Sequence, residues 1–330
     1  MTGYVFPAFE GSNYRTTAWT VRRACKFEIV PLDLTVEYIK LDYNRSCARS
    51  GASTVLRLSN CFNQHLAIVL FGMVAAVAAA TGPVRAGSSW QGIKTEVYGS
   101  RPIEDGTGLI GLKAPYRPDD VRAVPVSIDA ALPAGRTIKG VNIFVDENPS
   151  PLAAAFKVGG ARGRMALATK VRLNQESFIR AVVETNDGRL YMVSSLVKFA
   201  GGQSACSAPP TGDPVEIAAN MGKAKLAAVP SSKAVSQASQ KVRLDVRHPN
   251  HTGMALDQMT LLYIPLRMVS KLEVRQGGEP VLEMDGSITL SENPSLEFDF
   301  HNKGAETLDV TLKDSDGGEW RHAFDVGPAT

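Results

Sequence analysis

The residues with chemistry to offer in this chain are a few cysteines, histidines and clustered acids. Four cysteines occur, Cys25, Cys47, Cys61 and Cys206, and none makes a C-x-x-C pair or a zinc-like spacing. Cys206 is distinguished by its neighbours. Gly201, Gly202, Ser204, Ala205 and Ser207 surround it, so backbone freedom is high and no bulky side chain shields the sulfur. That composition predicts a flexible arm presenting an exposed thiol, with Pro209 and Pro210 stiffening its far side. The thiolate is the reacting form of a group whose ordinary pKa is about 8.5. No Lys, Arg or His lies between Gly201 and Pro210 to stabilise it. A helix start at Asp213 offers a favourable field that Asp213 and Glu216 oppose. A leftover cysteine can also lie unpaired on the surface or link two chains.

The other constellations read as structure. His248 and His251 are close in sequence and, with His301 or His322, invite a metal reading. The intervening proline and the lack of a neighbouring cysteine or ordered carboxylate set favour loop packing, so no metal is expected. Asp314, Asp316 and Glu319 fall in a Gly-rich hairpin that needs no Ca²⁺. Lys157, Arg162 and Arg164 form either a solvated loop or a small basic patch for an acidic partner. No G-x-S-x-G, H-E-x-x-H, P-loop or dinucleotide fingerprint occurs, so neither a catalytic site nor a cofactor is expected.

Strands must position these groups. From residue 120 onward β-branched and polar residues alternate between turn signals. Runs at Val124–Asp129, Gly140–Asp146, Met165–Leu173, Phe178–Glu184 and Leu190–Phe199 read as strands, with a hairpin turn at Asn186–Arg189 where Gly188 supplies positive φ. Residues 201–240 are rich in Gly, Ala, Ser and Pro and read as a linker. Within it, Asp213, Pro214 and Glu216 form a helix start predicted to run from 213 to about 226. Strand periodicity resumes at Val242–Val246, Lys271–Arg275, Leu296–Phe300 and Leu308–Leu312, with hairpins at Gly277–Gly278 and Asp314–Gly318. The predicted fold is all-β: two immunoglobulin-like antiparallel β-sandwiches, residues 87–200 and 241–330, joined by a 201–240 linker with one short helix. A net charge of +3 over 330 residues, with both signs mixed along the chain, excludes a nucleic-acid partner.

Residues 66–80 form an uninterrupted apolar run, too short to span a bilayer that needs about 20 residues. Arg57 and His65 before it and Pro83-Val-Arg-Ala86 after it fit a signal peptide cleaved near Ala86. About 55 residues precede this segment, which is expected to reflect an over-extended start within residues 1–86. The mature protein is then expected in the periplasm without a membrane anchor, with Cys206 its single cysteine.

Several stretches carry a family resemblance. Ala123-Val-Pro-Val126, Asp146-Glu-Asn-Pro-Ser-Pro-Leu-Ala-Ala-Ala-Phe156 and Phe199-Ala-Gly-Gly202 resemble SoxY. His248-Pro-Asn-His-Thr-Gly253 and Ser291-Glu-Asn-Pro294 resemble SoxZ. The chain is thus similar to the SoxYZ sulfur-oxidation carriers, with both subunits fused. It departs from SoxY in that Cys206 is followed by Ser207-Ala-Pro-Pro210 and a second domain, whereas SoxY ends in a free glycine-rich tail. In this it is most like the fused carriers associated with quinoprotein alcohol dehydrogenases. The resemblance implies a covalent carrier presenting a persulfide-type or thiosulfonate adduct on Cys206 to periplasmic redox or sulfur-oxidation enzymes, and pairing of the two halves within one chain. The alternative is a non-covalent scaffold for an exported quinoprotein dehydrogenase.

Overall fold

The computed structural model describes residues 89–199, 201, 204–230 and 239–327. The apolar run 66–80, the cleavage point near Ala86, Cys25, Cys47, Cys61 and Gly202 of the arm lie outside them. Within the described residues, helix α1 (Trp90–Tyr98) leads into eight strands: β1 (Ile103–Asp105), β2 (Ile110–Lys113), β3 (Val124–Ala131), β4 (Ile138–Val145), β5 (Leu152–Val158), β6 (Arg164–Val171), β7 (Ser177–Thr185) and β8 (Leu190–Val197). Helix α2 (Pro214–Asn220) and β9 (Ala224–Ala228) follow. The second half comprises β10 (Ser239–Val246), β11 (Val269–Gln276), β12 (Glu279–Gly286), β13 (Ser295–His301), β14 (Thr307–Asp314) and β15 (Glu319–Asp325).

The period of two read from the sequence sets which side chains go inside. In β3, Val124, Val126, Ile128 and Ala130 are buried and alternate with more exposed residues, and β14 does the same with Leu308, Val310 and Leu312. The architecture is the expected all-β pair of sandwiches, but the two halves are joined more closely than a linker would join them. One sheet has nine strands in the order β1-β8-β7-β4-β5-β12-β11-β14-β15, and the other six in the order β2-β3-β6-β13-β10-β9. Both sheets therefore cross from the first half to the second without a break. The crossings are antiparallel: β5 with β12, from Val158↔Leu282 to Ala154↔Gly286, and β6 with β13, from Leu167↔Phe298 to Thr169↔Leu296. Phe156 and Leu167 from one half and Leu244, Leu282 and Phe298 from the other share one core.

Two local expectations are corrected. The sheets are not wholly antiparallel, because β1 runs parallel to β8. The helix expected to reach residue 226 stops at Asn220, and Ala224–Ala228 pairs as β9 with β10. Its Ala-rich sequence has good helix propensity, but an open strand edge offers every backbone group a partner, and tertiary context overrides so weak a preference. Gly222, at φ 77°, makes the break, and its N–H donates to the Arg247 carbonyl. The start of α2 follows the sequence: Asp213 Oδ1 accepts from the N–H groups of Val215 and Glu216, at 2.7 and 3.2 Å, with Pro214 in the first turn.

Helix α1 was not expected. Ile93 and Tyr98 pack with Phe144, Val182 and Leu190 in a second apolar cluster. Beside it, Arg180 grips Asp146 through Nε and Nη2, at 2.8 and 2.7 Å, with the Trp90 ring 4.6 Å from the guanidinium carbon. Burial of both charges is tolerable because each is paired and hydrogen-bonded.

Candidate functional site

Cys206 is the free cysteine among the described residues, and it is buried, with only 1% of its surface exposed. This corrects the exposed thiol that its neighbours predict. Small residues do more than loosen a backbone; they also let it fold tightly. Ser204 accepts at its carbonyl from the N–H groups of Ser207 and Ala208, both at 3.1 Å, and the resulting turn points Ala205 and Cys206 inward. The Thr252 hydroxyl donates to the Cys206 carbonyl at 2.5 Å. Further along, Thr211 donates through its N–H and hydroxyl to Glu292 Oε2, at 3.3 and 2.9 Å. Of the predicted arm, Gly201 is exposed in a left-handed conformation, while Ser204, Ala205 and Ser207 belong to the turn.

The cationic group absent from the local sequence arrives from far away. Arg172, just beyond β6, is buried, and its charge interacts with Cys206. Its Nη1 donates to the carbonyls of Asn250, Ile288 and Leu290, at 2.9, 2.9 and 2.7 Å, so residues of the second half fix the guanidinium. Burial pushes the Cys206 thiol above its ordinary pKa, and Arg172 offsets part of that rise.

A cleft of about 20 Å³ adjoins the turn, lined by Arg122, Arg172, Pro249, His251 and Glu292 among others. That volume suits one water molecule. Two stretches singled out in the sequence build this cradle: 248–253 contributes His251 and Thr252, and 291–294 contributes Glu292. Arg172 and Arg122 carried no sequence signal, since neither lies in a motif.

The histidines do not converge. His248 is buried; its Nδ1 accepts from the Asn250 N–H at 3.0 Å, and its Nε2 lies 3.4 Å from Asp314 Oδ2. Burial pushes its pKa down to about 4. His322 Nε2 lies 2.8 Å from the Gly222 carbonyl. Among the described residues no three His, Cys, Asp or Glu side chains group as metal ligands. Asp314 receives Arg267 Nε at 2.7 Å and the N–H groups of Asp316 and Gly318 at 3.0 and 2.6 Å, which are the bonds of a hairpin turn. The basic patch considered for Lys157, Arg162 and Arg164 does not form. Lys157 pairs with Glu283 at 3.7 Å, and Arg162 is buried because its loop turns under the second half.

Residues 94–204 match the family model described as sulfur oxidation protein SoxY, and residues 229–325 match that of sulphur oxidation protein SoxZ. No curated protein matches the chain. Among solved structures, the sulfur carrier protein SoxY from Chlorobium limicola f thiosulfatophilum is 27% identical, with 34% of this chain and 92% of that one covered and a TM-score of 0.30. A beta-glycosidase from Bacteroides vulgatus is 10% identical over 66% of this chain and 24% of that one, with a TM-score of 0.19.

Proposed function

Since the chain belongs to the sulfur-oxidation carriers as a SoxY domain fused to a SoxZ domain, we propose that it carries a sulfur-containing adduct on Cys206 and presents it to partner enzymes. Proteins of these two families are carriers and not catalysts. The reading rests on the placement of Cys206: one free thiol among the described residues, on a short turn held to the SoxZ domain by a hydroxyl and a carboxylate and facing Arg172. The buried position is the empty, resting state. Loading requires the turn to open so that the thiolate can join a sulfur anion, the two electrons released passing to a redox partner. Arg122 and Arg172 favour an anionic cargo in the vicinity.

The hairpin that begins at His251 supports an approach of partners from this side. Met259, Leu261, Leu262 and Tyr263 are all exposed on it, and clustered exposed apolar side chains mark interaction surfaces. We place the protein in the periplasm, on the strength of the signal-peptide features of residues 57–86. We associate it with a quinoprotein alcohol dehydrogenase system, because Cys206 sits between two domains instead of on a free tail.

Intact and peptide mass spectrometry of the protein isolated without reductant is expected to find added sulfur on the Cys206 peptide. Cys206→Ala should abolish substrate-dependent sulfur oxidation. An unmodified thiol together with a fully active Cys206→Ala strain would favour a non-covalent scaffold instead. The mature N-terminus from the same spectra tests export, which predicts a start near Gly87.

A further inference from the structure

The chain from Thr252 to Leu266 leaves the SoxZ domain as a hairpin, pinned at its base by the bridge between His251 and Arg267 and further out by that between Leu256 and Tyr263. Its tip is apolar and exposed: Met259 is 93% exposed, Leu261 72%, and Leu262 and Tyr263 68% each. Asp257 is the one charged residue between Thr252 and Leu266. Its carboxylate serves the tip itself, with Oδ1 accepting from the N–H groups of Met259 and Thr260 at 2.8 and 2.9 Å. The Asp257 N–H donates to the Leu262 carbonyl at 2.9 Å, and the Asp257 carbonyl accepts from the Leu261 N–H at 2.8 Å. Those bonds hold Leu261 at φ 57°, a region that bulky side chains rarely enter. Backbone strain of this kind lasts only where the surrounding bonds over-determine it, and it gathers at recognition sites. The tip is therefore a preformed apolar knob. It includes methionine and tyrosine, two side chains enriched at the cores of protein interfaces.

The foot of the hairpin shows what the knob meets. The Thr252 hydroxyl that donates to the Cys206 carbonyl also accepts from the Met254 N–H at 3.2 Å, so one oxygen ties the cysteine turn to the outgoing strand. Ala255, one residue further along, lines the same cleft as Ala205 and Ala208. A protein that reaches Cys206 therefore comes against this strand. A membrane fits poorly. No Lys or Arg lies between Thr252 and Leu266 to meet anionic headgroups, and Arg267 at the base is held by Asp314 and Asp316 at 2.7 and 3.5 Å.

We propose that this hairpin docks the protein that reacts with Cys206, seating Met259, Leu261, Leu262 and Tyr263 in an uncharged apolar groove beside that protein's reactive centre, and that docking loosens the cysteine turn. Such docking presupposes the carrier role of Cys206 and adds the element by which its partners are recognised. A pull on the tip is felt at Thr252, because Met254 and Cys206 share its hydroxyl oxygen. Displacing the strand parts that hydroxyl from the Cys206 carbonyl, and the thiol is freed where a partner is in place to receive it.

The paired substitution Met259→Ser and Leu262→Ser tests the docking at exposed positions, and Leu261→Gly tests it while relieving the strained backbone. Purified, both variants should melt no lower than the wild type and alkylate Cys206 at an unchanged rate. In the native host, sulfur on the Cys206 peptide, quantified by mass spectrometry, should fall about tenfold or more in each, as truncation of central interface side chains does to binding. Adding Thr252→Val to the paired variant, which opens the turn without a partner, should restore loading severalfold. Absence of that rescue overturns the release step. Wild-type loading in the folded hairpin variants overturns the docking. So does a dimer, seen by light scattering, that the paired variant splits, which makes the knob a contact between copies. Sedimentation of the wild type but not the variant with phosphatidylglycerol vesicles overturns it too, in favour of a membrane contact. Cys206→Ala separates the hairpin from the carrier role: full substrate oxidation in that strain refutes the carrier itself, whereas an inactive Cys206→Ala strain beside a fully loaded hairpin variant refutes the hairpin alone.

Discussion

At the scale of the residue, Cys206 and its latch invite direct measurement. The Thr252 hydroxyl is the side-chain bond made to the cysteine's own carbonyl, and removing a buried bond of this kind costs about 1–2 kcal/mol. Thr252→Val, which keeps the shape, is therefore expected to open the turn more often and accelerate alkylation of Cys206 about tenfold, as followed by mass spectrometry in the folded protein. His248 gives a second prediction. Its pKa in the folded protein, about 4, lies below the 6.5 of a free imidazole, so the unfolded chain takes up a proton first as pH falls. The stability associated with neutral His248 is complete above about pH 6.5, declines as pH falls toward 4, and amounts to roughly 3 kcal/mol when fully lost. Urea melts at pH 7 and pH 4.5 should show the decline, and His248→Gln should flatten it.

At the scale of the element, the seam between β5 and β12 is the most exacting contact. Gly159 ends the β5 side of it, and its N–H donates to the Val281 carbonyl at 2.9 Å. Gly159→Ala has no room for its methyl and is expected to cost about 1–3 kcal/mol by forcing the strands apart. Scanning calorimetry should show a single transition moved several degrees down, both domains shifting together because their sheets are continuous. The strands that alternate cleanly, β3, β6, β13 and β14, were legible from the sequence. Strand β5 was not, because Ala153, Ala154 and Ala155 carry neither β-branching nor alternation, and its place in the sheet depends on partners on both sides. Strand β9 was concealed by helix-favouring residues, and α1 by polar residues on its solvent side. Turns whose glycine must take positive φ, such as Gly188 and Gly277–Gly278, could be read directly.

At the scale of the whole molecule, the site was only half visible. The cysteine and its small neighbours could be found in one stretch of chain, but its burial could not, because Thr252, Glu292 and Arg172 reach it only once the two sandwiches have merged. Local composition speaks of freedom; the folded context decides whether that freedom is used. The same holds for Arg162, which reads as a surface charge in sequence and becomes an interior one when the second domain covers its loop.

The cysteine turn hangs between β8 and α2, attached at both ends. Fully extended, the eight residues from Lys198 or the seven to Asp213 allow the sulfur an excursion of at most about 25–30 Å from its anchors. Because the chain leaves and returns, the leash can enter another protein only as a doubled loop, two backbones abreast and so roughly 5 Å wider than a single thread. An enzyme built to admit a lone tail down a narrow bore would not receive it. Under the proposed carrier role of Cys206, the proteins that service this thiol need an open slot at their reactive centre, and the width of that slot is a criterion by which they can be recognised.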